Sequence, residues 1–130
     1  MSNEISVVAN LQVANGGLTY NNKNSFKVDQ ATKNGPTPGA ITVTTGGVTA
    51  SLAQLTTPGS VIMTNTDATN YVRYGLYIAS TFYPFGEIGP LETAIFKLAR
   101  DILTANTPAA VLRLVANTAS CVVKLDVFDK

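Results

Sequence analysis

Polar and apolar residues alternate along most of this chain with a period of two, the pattern of strands that bury one face. The clearest instance runs from Ser60 to Tyr77, where two such stretches flank the polar run Asn65-Thr66-Asp67-Ala68-Thr69-Asn70. On the second stretch Val72, Tyr74, Leu76 and Ile78 share one face, while Tyr71, Arg73, Gly75 and Tyr77 share the other. The pattern predicts an amphipathic hairpin with one face in a core and one turned outward. Phe82, Tyr83 and Phe85 follow directly, so most aromatic residues of the chain fall within one short stretch.

The same alternation predicts further strands on either side. Ile5, Val7, Ala9, Leu11 and Val13 mark a half-buried strand that ends at the turn Asn15-Gly16-Gly17, and Phe26 and Val28 mark a short second one. From Gln30 to Gly39 the Pro and Gly residues argue against regular pairing, which makes this the longest loop. Extended structure resumes at Ile41-Thr42-Val43-Thr44 and turns at Gly46-Gly47. Val48, Ala50 and Leu52 then share a face up to Thr57-Pro58-Gly59. Val111 to Ala116 and Cys121 to Phe128 read as a final hairpin around Asn117-Thr118-Ala119-Ser120. Between Pro90 and Leu103 two periods compete. Leu91, Ile95, Leu98 and Ile102 have helical spacing, whereas Glu92, Ala94, Phe96 and Leu98 line one face of a strand. Short strands punctuated by Gly, Pro and Asn predict an all-β chain, an antiparallel β-sandwich of jelly-roll-like form, with residues 1–130 as one domain.

Composition narrows what such a domain can do. Charged residues are 13% of the chain, against about 25% in an average protein, and the net charge is +1. With Lys and Arg scattered, neither nucleic acid nor an anionic membrane is an expected partner. No stretch approaches the roughly 18 apolar residues that span a bilayer, and the start of the chain has no leader pattern, so synthesis in the cytoplasm is expected. Histidine is absent, which removes the commonest general base and metal ligand. Cys121 is the only cysteine, and it shares a face with Val123, Leu125 and Val127, so it is expected in the core.

Each remaining chemical motif has a plainer reading. The Asn65–Asn70 run offers oxygen donors suited to Ca²⁺, but it lacks the Gly and downstream Glu of an EF-hand loop and reads as a hydrogen-bonded turn. Glu87 with Glu92, or Asp67 with Asp101, supplies the two acids of a glycosidase, yet nothing in the sequence brings either pair together. Gly35, Gly39, Gly46, Gly47 and Gly59 are spaced as turns, with no phosphate-cradling Lys after them. No catalytic residue, cofactor or metal is therefore expected. Tyr71, Arg73 and Tyr77, with Phe82, Tyr83 and Phe85, are of the types that anchor protein interfaces; equally, the tyrosines of the row could pack against a second sheet or a covering loop of the same chain.

One resemblance is more specific. Thr57-Pro58-Gly59 leads into Val61-Ile62-Met63-Thr64-Asn65-Thr66-Asp67-Ala68-Thr69-Asn70-Tyr71-Val72, then Gly75. Gly89, Leu91, Glu92, Ala94, Phe96 and Leu98 follow, and Leu114, Ala116, Asn117 and Ala119 close the pattern. In this succession the chain resembles small virion proteins of tailed bacteriophages, of the head decoration or cement kind. The resemblance implies a β-sandwich in which Pro90–Leu103 is a strand. It further implies a non-enzymatic capsid decoration protein on the virion exterior, self-associating as a homotrimer and stabilising contacts between major capsid protein subunits. The outward row and residues Ser2 to Glu4 would make the contacts. Two other expectations remain open: a carbohydrate-binding or adhesin module of a tail or surface structure, with Tyr71, Tyr77 and Tyr83 stacking on sugar rings, and a minor head or tail completion protein.

Overall fold

The computed structural model describes residues 4–105 and 107–130. Ser2 and Asn3, expected among the contact residues, lie outside them. All regular structure among the described residues is extended, and no helix is long and apolar enough to cross a membrane. The chain divides into two compact units, residues 1–33 and residues 34–130.

The first unit is a two-stranded antiparallel ribbon, β1 (Ile5–Asn15) with β2 (Leu18–Val28). Pairing is unbroken from Ile5↔Val28 to Asn15↔Leu18, so Gly16 and Gly17 alone make the turn, Gly16 at the positive φ that a tight hairpin needs. The sequence suggests only a short strand near Phe26. The polar residues Asn21 to Ser25 hide the rest, which pairs through its backbone with β1. The half-buried face predicted for β1 is also more open than expected: Ala9 and Leu11 are exposed.

The second unit is an antiparallel β-sandwich, so the all-β expectation holds, although the sandwich strands all lie within residues 34–130 and not across the whole chain. One sheet has the order β3 (Thr37–Val43), β10 (Cys121–Asp129), β5 (Pro58–Asn65), β8 (Thr93–Lys97). The other has β4 (Val48–Thr49), β9 (Val111–Ala116), β6 (Val72–Ile78), β7 (Thr81–Ile88). Val61, Met63, Val123 and Leu125 face Val72, Ile88, Leu112 and Leu114 in a fully buried core. Each such side chain contributes about 1.5–3 kcal/mol by leaving water. Cys121 is buried in this cluster, as its alternation predicts.

Three local expectations are corrected. Ser60–Tyr77 is not a hairpin: β5 and β6 belong to opposite sheets, and the Asn65–Asn70 run is an arch that carries the chain across the sandwich. β9 and β10 are likewise in opposite sheets, so Asn117–Ser120 is a second arch. Alternation dictates which face a strand buries but not which strand it pairs with, and an arch turns its two strands' inner faces toward each other just as a hairpin aligns them. Finally, Thr37, Pro38 and Gly39 are paired with Val127, Asp126 and Leu125. Pro38 is tolerated because β3 is an edge strand and its missing N–H faces no second neighbour. In the region of competing periods, β8 occupies Thr93–Lys97, with Ala94 and Phe96 packed on the core and Ile95 exposed. Residues 100–104 form turns.

Candidate interaction surfaces

The outward face of the second sheet is built by cross-strand neighbours. Register sets Arg73 opposite Glu87 and Tyr77 opposite Phe82, with Gly75 opposite Pro84 between them. Residues directly opposite share a face, so Arg73, Tyr77 and Phe82 form one outward row, with the exposed Tyr71 just beyond the end of β6. β9 extends the row. The Arg113 guanidinium lies 4.2 Å from the Tyr77 ring centroid. Its Nη1 donates to Thr49 Oγ1 at 3.2 Å and its Nη2 to the Gly46 carbonyl at 3.0 Å. Gly47 makes room for it, since a Cβ there would meet Arg113 Nε at 2.8 Å. A cation held over an aromatic face at an exposed site contributes about 0.5–1 kcal/mol, and here it also holds the Tyr77 ring in place. Arg113 was not singled out by sequence; its outward position within Val111–Ala116 is visible there, but its place beside Tyr77 depends on the β6–β9 pairing.

Tyr83 and Phe85 do not join that row. Tyr83 stands opposite Leu76, on the inner side, and a bulge between the Tyr74 and Gly75 pairs inserts Phe85 so that it meets Tyr74. Both are at an open edge, 55% and 65% exposed. β7 and β8 are the outer strands of their two sheets, and between them opens an apolar cleft of about 390 Å³. Tyr74, Phe85 and Phe96 line it. Tyr74 and Phe96 stack at 5.5 Å and 3°, and Phe85 meets Tyr74 edge-on at 5.3 Å. Gly86 is required opposite Tyr74, because a Cβ would fall 2.2 Å from that ring's Cζ. The aromatic residues of residues 71–85 thus divide between two faces.

No family model, curated protein or solved structure matches the chain. The functional reading therefore rests on its own side chains.

Two of the acidic residues considered for catalysis or Ca²⁺, Asp67 and Glu92, are held by local hydrogen bonds. Asp67 Oδ1 accepts from the backbone N–H of Asn70 (2.6 Å) and Thr69 (2.8 Å) and from Asn70 Nδ2 (3.2 Å). These bonds, the Asn70 backbone first, hold its carboxyl below the ordinary aspartate range. Glu92 accepts from Gly89 N at 2.7 Å in the β7–β8 turn, and Glu87 lies on the outer face opposite Arg73. Burial, and then the Asp67 charge, push the Cys121 thiol up, which disfavours the reactive thiolate.

A lowered carboxyl pKa has a definite sign in stability. The Asp67 contribution is fully present above the unfolded-state value of about 3.9 and is lost as pH falls through the lower folded value. The stability gap between wild type and Asp67→Asn, measured by urea unfolding across acid pH, is expected to narrow below about pH 4. A gap that widens in acid would contradict the capping role.

Proposed function

We propose that this chain is a non-enzymatic structural protein of a bacteriophage particle, a capsid decoration protein that associates with itself and whose sandwich holds neighbouring major capsid subunits together from outside. The observation that carries this reading is the outward row of Arg73, Tyr77 and Phe82 with Arg113 stacked on Tyr77, a rigid aromatic and arginine surface of the composition that anchors protein partners. The motif resemblance to small virion proteins supplies the kind of partner. Strand order supports the jelly-roll-like reading: from β3 to β10 successive strands switch sheets except at β6–β7, and β10 lies between β3 and β5. Mechanically, apolar area covered at a subunit junction raises the work of separating subunits by about 25 cal/mol per Å², less the cost of association.

Particles assembled without this chain are expected to release their genome at a lower temperature than complete ones, and purified chain added back is expected to restore the higher value. A variant carrying Arg73→Glu and Phe82→Ala should fold but fail to restore it. Equal heat stability with and without the chain would contradict the proposal.

The aromatic cleft favours one second reading, a carbohydrate-binding module, because its volume is within the roughly 300–1,000 Å³ range of small-ligand sites. The three tyrosines first considered for stacking do not form one platform, so the sugar would sit against Tyr74 and Phe85. Glycan binding by the isolated chain, abolished by Phe85→Ala, would favour that reading over capsid attachment.

A further inference from the structure

The N-terminal ribbon gathers most of its large apolar side chains on one face. On one face β1 places Ile5, Val7, Ala9, Leu11 and Val13, and opposite them in register stand Val28, Phe26, Asn24, Asn22 and Tyr20. Asn15 and Leu18 complete this face at the turn. The other face is mainly polar, with Ser6, Asn10 and Gln12 opposite Lys27, Lys23 and Asn21, and its apolar members are Val8, opposite Ser25, and Ala14, opposite Thr19. An isolated two-stranded ribbon is marginal in water, because a hydrophobic face without a second layer gains too little to offset the ordering of its backbone. Here that face stays open: Leu11 is 62% exposed, Leu18 60%, Tyr20 50% and Phe26 50%.

We infer that the ribbon is a self-association module, the apolar face of one copy packing on the same face of another. Charge is the first argument. The face carries no charged residue, and Lys23 and Lys27 both point the other way, so two copies meet without like charges opposed. The second is the polar row in its middle. Asn24 Nδ2 donates to Asn22 Oδ1, and Asn22 Nδ2 donates to Tyr20 Oη at 3.2 Å. Each amide retains further donor and acceptor capacity. A purely apolar partner would bury these groups unpaired, which is costly. A second copy brings the same amides to the same place, since Asn22 and Asn24 flank the midpoint of β2, and symmetric pairing sets amide against amide. One buried Asn pair of this kind also selects register.

Area is the third argument. Eleven-residue strands extend about 36 Å at about 3.3 Å per residue, and each half-exposed aromatic or leucine adds on the order of 100 Å². Leu11, Leu18, Tyr20 and Phe26 give roughly 400 Å²; the exposed Ala9, Asn22 and Asn24 and the partly exposed Ile5, Val7, Val13 and Val28 bring one face to roughly 500–600 Å², so two faces together reach the approximately 1,000 Å² that a specific interface needs. The inference rests on the decoration reading and names the surface through which copies join, as a pair in place of the homotrimer that the resemblance implies, and it leaves the outward row of the sandwich for the capsid.

The test uses the full chain. In sedimentation at micromolar concentration the wild type is expected to be oligomeric. The double variant Val7→Lys, Leu11→Lys is expected to raise the dissociation constant by about 100-fold or more, each buried charge contributing at least the ~1.4 kcal/mol that corresponds to tenfold. The thermal unfolding of the sandwich, a separate compact unit, serves as the folding control and should not move. A monomeric wild type, or a variant that associates as tightly as the wild type, would overturn the inference. Particle binding is read separately: a monomeric chain that still binds capsid loses the ribbon module and keeps the decoration role, and an associating chain that ignores capsid does the reverse.

Discussion

Asn65→Leu is expected to destabilise the sandwich by about 3–5 kcal/mol, a large part of the roughly 5–15 kcal/mol that holds a domain of this size together. Asn65 is fully buried at the end of β5, where alternation from Val61 and Met63 turns it inward. Its Nδ2 donates to the Asn70 carbonyl at 2.8 Å and the Gly89 carbonyl at 3.1 Å, with a longer contact to the Ile88 carbonyl at 3.4 Å. Its Oδ1 accepts from Asp67 N at 3.0 Å. One side chain therefore ties the β5–β6 arch to the β7–β8 turn, and Asn65 N to Glu92 O and Leu91 N to Asp67 O reinforce the same joint. Leucine nearly fills the volume but leaves these buried groups without partners, at about 1–3 kcal/mol each where water cannot reach them. Urea unfolding measures the loss. A change below about 1 kcal/mol would mean that the arch does not depend on this amide.

Gly75→Ala is the second large effect. A Cβ at Gly75 would fall 2.1 Å from the Tyr83 carbonyl oxygen and 2.6 Å from Pro84 Cα, both backbone atoms that cannot swing aside. β6 and β7 would have to separate where the bulge already interrupts their register, at a cost of about 3 kcal/mol or more, at the upper end of what overpacking produces. Because Pro84 lies between Phe82 and Glu87 on β7, the same change should disorder the outward row and weaken attachment together with stability. Gly59→Ala is the natural comparison. Its Cβ would meet Lys130 Cβ at 3.3 Å, a contact that a shift of a few tenths of an ångström relieves, so a loss under about 1 kcal/mol is expected. Equal losses at the two glycines would remove the steric explanation.

How much of this is legible in the sequence depends on the kind of information. Face assignment is legible: Val72 and Leu76 inward and Arg73 and Tyr77 outward follow from period two, as does the shared face of Ala94 and Phe96, although with no clean polar side there the pattern does not say which face meets the core. Pairing is not. The Asn and Asp turn chemistry at residues 65–70 suits an arch as well as a hairpin, because in both the side chains satisfy a sharply bent backbone. One signal was available, since an Asn at an inward position after Val61 and Met63 implies buried amide partners and hence a structural joint. The separation of Phe82 from Tyr83 and Phe85 is legible, because period two already sets position 82 against 83 and 85. The bulge at Phe85 is not, and it exchanges the faces past it, turning Glu87 outward beside Arg73 and Ile88 inward. Arg113 escaped for a related reason, as its partner Tyr77 is brought alongside only by sheet order. The ribbon's polarity becomes visible once the second strand is known to run the full length of the first, since its Asn-rich middle masks the alternation of Leu18, Tyr20, Phe26 and Val28.

Whether the sandwich grips capsid is tested most directly by a reconstruction of particles that carry this chain. Density for residues 34–130 on the outer capsid shell is expected at junctions between capsid subunits, with Arg73, Tyr77 and Phe82 turned toward the shell. Density confined to the tail, or a sandwich seated on the shell by another face with that row in solvent, would contradict it.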